Sequence, residues 1–70
     1  MYIGIDVGGT NLKAGLVGEK GEILAVERTP LGAFRGPEPF VETLAELAKA
    51  VLREGGAEPG DIAYVFMVFT

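Results

Sequence analysis

A chain of 70 residues makes one small domain at most, and a domain near this size buries only about 60% of the surface its unfolded form exposes, so marginal stability is expected. The composition is globular, 49% hydrophobic and 23% charged, while a net charge of −4 with six scattered basic residues offers no basic patch to nucleic acid or to an anionic membrane. With neither Cys nor His, disulfides, thiolate metal sites and imidazole catalysis are excluded, which leaves acid–base work to Asp, Glu, Lys or Tyr.

Residues 2–7 alternate, with Ile3, Ile5 and Val7 on one face and Tyr2, Gly4 and Asp6 on the other. That period of two predicts a strand. Gly8 to Asn11 reads as a turn, and a second alternating run follows over 12–18. A glycine-bracketed turn, "GEKG", leads to a third strand over 22–29. Two short connections in succession predict an antiparallel meander.

Pro30 to Gly36 reads as a loop. From Pro37 the period changes: Phe40, Leu44, Leu47, Ala48 and Val51 recur at the spacing of one helical face, predicting a helix over 37–54. Gly36 suits the N-cap and Pro37 the first helical position, with Glu38 and Glu42 at the positive end of the dipole and Lys49 and Arg53 toward the negative end. Gly55 and Gly56 predict a left-handed stop. Glu38, Glu42 and Glu46 read as a solvated face.

A turn around "AEPGD" precedes a fourth strand over 62–69, apolar on both faces as in a strand covered from both sides. The order β-β-β-α-β then places the last strand parallel to a partner in a mixed sheet, an α/β class. No leader pattern follows Met1, and the longest apolar run is far short of the ~20 residues of a membrane helix. A cytoplasmic location and no membrane partner are expected.

The chemistry is concentrated in "DVGGTNLK", residues 6–13. Adjacent glycines accept left-handed angles and permit close approach, so their turn can direct several N–H groups at one point. Thr10 and Asn11 add side-chain donors, and Lys13 adds a point charge. Such donors suit nucleotide phosphates. Asp6, at the strand's end, suits a hydrated magnesium ion, which typically uses one or two carboxylates. The Walker A and Rossmann fingerprints do not fit: there is no Gly-Lys dipeptide, and this turn leads into a strand. The competing structural reading is a hairpin whose glycines serve the turn alone.

"DVGGTNLKAGLV" resembles the first phosphate-binding segment of sugar kinases in the actin–hexokinase–heat-shock-70 superfamily, and within it the ROK group, which includes bacterial glucokinases. The resemblance implies the N-terminal part of a ribonuclease-H-like (actin-like ATPase) domain, with ATP and Mg²⁺ as cofactors and a hexose, glucose as the first guess, as phosphate acceptor. Carried over, Asp6 positions magnesium through water, Gly8, Gly9 and Thr10 contact the nucleotide phosphates, and Asn11 and Lys13 lie near the same cleft. The family's downstream catalytic aspartate, second domain and zinc-binding segment have no counterpart here. Asp61 is the only other aspartate and reads as a solvated turn residue.

Residues 1–70 are therefore expected to be one partial domain, a truncated or disrupted product inactive alone. Two other readings are a fragment of a kinase-derived, sugar-responsive transcriptional regulator and a structural remnant that forms homo-oligomers through its apolar last strand. With the motif beginning almost at Met1, no DNA-binding domain is expected ahead of it in these 70 residues.

Overall fold

The structure is a computed structural model that describes residues 1–30 and 37–70, without the side chains of Pro37 and Glu38. Strands β1 (Tyr2–Val7), β2 (Asn11–Val17) and β3 (Ile23–Pro30) are followed by helix α1 (Pro37–Gly55), a 3₁₀ turn (Pro59–Asp61) and strand β4 (Tyr64–Phe69). The sheet order is β3-β2-β1-β4: the first three strands form an antiparallel meander and β4 lies parallel to β1. This is the mixed α/β arrangement predicted, the N-terminal β-β-β-α-β portion of an actin-like ATPase fold. The expected loop over Pro30 to Gly36 and the Gly36 cap lie outside the described residues, apart from Pro30, which ends β3.

The alternating strands and the helical stripe meet on one face. Ile3 and Ile5 of β1, Leu12, Ala14 and Leu16 of β2 and Ala25 of β3 are buried against Leu47 and Val51 of α1, with Phe40, Leu44 and Ala48 packed around them. The second hairpin is closed by Gly21, whose φ of +80° only glycine adopts readily. α1 ends as predicted in a left-handed residue, Gly56 at φ +69°. There the Ala57 amide donates to the Leu52 carbonyl at 2.9 Å and the Gly56 amide to that of Arg53 at 3.3 Å, the two bonds of a Schellman cap. Gly55 has a separate reason to be glycine, since a Cβ there would run into the Leu16 side chain.

Two expectations are corrected. The fourth strand begins at Tyr64, because residues 59–61 form a 3₁₀ turn in which Asp61 accepts the Glu58 amide at 2.9 Å. Nor is β4 covered on both sides: all six of its residues are exposed, Phe69 at 71% and Met67 at 38%. The helix packs chiefly across β2 and β3, and β4 lies at the opposite edge of the sheet. On the outer face, the Phe66 ring lies over Gly4, where a built Cβ would come within 3.0 Å of the ring, and Tyr2 stacks on Tyr64 at 5.0 Å. No helix among the described residues is long and apolar enough to cross a membrane.

Candidate functional site: a polar cleft at the carboxyl end of β1

Asp6 is exposed and points away from the core, because alternation along β1 sends Ile3 and Ile5 inward. Its pairing partner on β2 is Lys13, and the partner of Lys13 on β3 is Arg28, so the three side chains form one row across the outer face. Asp6, Gly8, Thr10, Asn11, Lys13 and Arg28 line a cleft of about 230 Å³. Five of the six candidate residues are thereby brought together. Gly9, at the tip of the turn, does not line it.

The turn differs in detail from its sequence reading. Neither Gly8 nor Gly9 takes a left-handed angle, the positive-φ glycines among the described residues being Gly21 and Gly56. The Gly8 amide is engaged by the Asn11 carbonyl at 3.0 Å. The amides of Gly9 and Thr10, by contrast, have no acceptor among the described residues. Asn11 donates from Nδ2 to the Thr10 hydroxyl at 3.1 Å, which leaves the Thr10 proton free to donate outward. A Cβ on Gly9 would meet nothing within 4 Å. Steric need inside this chain therefore does not account for a glycine at this position, whereas close approach by a ligand would.

The Thr70 hydroxyl donates to Asp6 Oδ1 at 3.2 Å, and its amide donates to the Val7 carbonyl at 3.0 Å. The parallel strands β1 and β4 thus bring their carboxyl ends together at Asp6, the end at which open α/β sheets commonly bind ligands. Thr70 and Arg28 were missed in the sequence. Arg28 was traceable in principle, by carrying the antiparallel register from Lys13 across to β3; Thr70 requires knowing which strand lies beside β1.

No group of three or more His, Cys, Asp or Glu side chains gathers among the described residues. A lone exposed carboxylate suits magnesium that keeps most of its waters, and it pairs with Lys13 in a cleft that Arg28 and free donors also line, a set suited to a polyphosphate. Asp61 lies in its own 3₁₀ turn, engaged with the Glu58 amide and absent from the cleft lining. A second depression, of about 280 Å³, shares Asp6 and Lys13 but is otherwise lined mostly by apolar side chains and glycines, including Tyr2, Val26 and Phe66. On the opposite side, Glu27 of β3 and Glu54 of α1 share a groove with Arg53. Hydrogen bonding to Glu27, then repulsion from it, then a little desolvation raise the Glu54 carboxyl above its ordinary value.

The model of the ROK family matches residues 2–69. The chain is 43% identical over 58 residues to an N-acetyl-D-glucosamine kinase of Vibrio parahaemolyticus serotype O3:K6 (strain RIMD 2210633), an overlap covering 83% of this chain. The same overlap spans 19% of that kinase's length.

Proposed function

The chain belongs to the ROK family, and from that premise we propose that it carries the first phosphate-binding hairpin of an ATP-dependent sugar kinase. The observation that supports this most is the convergence of Asp6, Gly8, Thr10, Asn11 and Lys13 on one polar cleft. In this reading Lys13, the Thr10 hydroxyl and the free amides of Gly9 and Thr10 hold the phosphates of ATP, and Asn11 orients the Thr10 hydroxyl. Asp6 holds Mg²⁺ through water. The ion, when bound, neutralises charge on the phosphates.

Phosphoryl transfer depends on positioning and charge neutralisation, together with a group that receives the proton of the attacking hydroxyl. The cleft supplies the first two functions. Asp61 is not placed for the third, so the segment is proposed to bind phosphates without transferring them by itself. The acceptor class is a hexose or an N-acetylhexosamine. The resemblance suggested glucose, and the named Vibrio relative acts on N-acetylglucosamine. The exposed apolar residues of β4 also support a second property, weak self-association through an apolar edge.

The test is a graft. This chain replaces the matching segment of the Vibrio kinase, and ATP-dependent phosphorylation of N-acetylglucosamine and glucose is assayed. Activity with Asp6 that falls at least about a hundredfold with Asp6→Asn, in the range expected when transition-state charge stabilisation is lost, supports the reading. Equal activity in the two grafts removes Asp6 from the mechanism.

A further inference from the structure

The outer-face row Asp6–Lys13–Arg28 contains an arrangement that the fold does not require. Lys13 and Arg28 are directly paired across β2 and β3, and both are exposed. Like charges directly opposite one another destabilise a sheet. Among the described residues neither is in an ion pair; the one present joins the Met1 amino group to Glu19 at 2.9 Å. The nearest carboxylate in the row is Asp6, on the far side of Lys13 from Arg28. Both cations nevertheless line the same cleft as the phosphate-binding turn.

We propose that Arg28 is a second cationic contact for the polyphosphate, with its guanidinium gripping the phosphate farthest from Asp6. The inference rests on the hairpin reading above and adds to it a residue and a selectivity. Three adjacent strands at the usual spacing of about 4.8 Å set Asp6 and Arg28 roughly 10 Å apart at the backbone. A row of that reach accommodates a chain of phosphates laid across the strands from the magnesium held at Asp6 to Arg28, whereas a single phosphate cannot meet both ends of the row. The planar guanidinium fork suits two phosphate oxygens at once, and an ammonium does not. The site therefore discriminates by phosphate-chain length. An arginine on an edge strand can also serve to discourage edge pairing, but that role would leave anion affinity unchanged.

The experiment measures binding of orthophosphate, pyrophosphate and tripolyphosphate by calorimetry, with magnesium present, to this chain and to its Arg28→Gln, Arg28→Lys and Lys13→Gln variants. Arg28 is exposed, so circular dichroism should show an unchanged fold. The wild type should prefer tripolyphosphate. Arg28→Gln should lose about five- to tenfold on tripolyphosphate, as removal of a charge-assisted contact implies, and little on orthophosphate; Arg28→Lys should fall between. Unchanged tripolyphosphate affinity in Arg28→Gln, with a loss in Lys13→Gln, would overturn the role of Arg28 and leave the hairpin reading standing. An equal loss on all three anions would reduce Arg28 to diffuse charge and overturn the length selectivity. No phosphate binding by the wild type would sink the hairpin reading, and Arg28 with it.

Discussion

The Thr70 hydroxyl donates to Asp6 Oδ1 at 3.2 Å, joining two residues 64 positions apart in sequence across the carboxyl ends of two parallel strands. Its backbone amide is held independently by the Val7 carbonyl at 3.0 Å. The side-chain bond can therefore be removed without releasing the end of β4.

Thr70→Val keeps the shape and deletes the donor. Because the bond is exposed, the expected cost sits at the low end of the usual net of about 0.5–1.5 kcal/mol, and the melting temperature should hardly move. Magnesium-dependent binding of tripolyphosphate should weaken by about two- to threefold, an effect of that same low-end size. Binding measured without magnesium should not change. An equal loss in both conditions would place Thr70 on the anion rather than on the carboxylate.

Gly9→Ala separates the two explanations for the turn. Gly9 has no left-handed angle and has open space where a Cβ would stand. Where alanine fits without strain it stabilises by about 0.4–1 kcal/mol through the unfolded chain. Urea unfolding should thus show a neutral or slightly stabilised variant. Anion titration should show weaker tripolyphosphate binding, because the methyl group obstructs the free amides. Undiminished binding would mean that no ligand approaches that closely.

The burial pattern of β1, β2 and α1 could be read from period alone. Alternation placed Ile3 and Ile5 inward and Asp6 outward, and the three- and four-residue spacing placed Leu47 and Val51 on the core. Gly56 marked its own left-handed cap. What could not be read were relations between distant segments. Arg28 joins the cleft through cross-strand pairing, Thr70 through a parallel neighbour, and β4 is uncovered because α1 packs chiefly on β2 and β3. Gly8, Thr10, Asn11 and Lys13 do come together on the cleft, but neither glycine of the turn adopts the left-handed angle that its lack of a Cβ allows, and the Gly8 amide is occupied.

Core and edge should respond oppositely to truncation. Leu16 is fully buried, and Leu16→Ala should cost about 2–5 kcal/mol, enough to unfold so small a domain. Phe69, at 71% exposure, should tolerate aspartate with little loss of stability. If β4 mediates self-association, Phe69→Asp should lower the weight-average mass in sedimentation equilibrium; an unchanged mass would locate any association elsewhere.

The Glu27–Glu54 contact sets a pH dependence. The Glu54 carboxyl is raised in the folded state by its hydrogen bond to Glu27 and by repulsion from it. The folded chain therefore holds more protons than the unfolded chain between the ordinary carboxylate value and the raised one, and stability falls as pH rises through that window. Above it the penalty is complete; below the ordinary value it is absent. Glu54→Gln should flatten this slope and raise the melting temperature slightly at neutral pH. Melting curves that keep the wild-type slope would show that the pair does not act on stability.

Whether the bend after Asp6 grips polyphosphate can be decided by following backbone amide resonances during titration with tripolyphosphate, with and without magnesium. A phosphate-gripping bend should give shifts concentrated at residues 6–13 and at Arg28, larger at Gly9 and Thr10 than at Gly8, and altered in the metal-containing series by Asp6→Asn. Shifts confined to β4, or none at concentrations where orthophosphate already binds ordinary surface lysines, would contradict it.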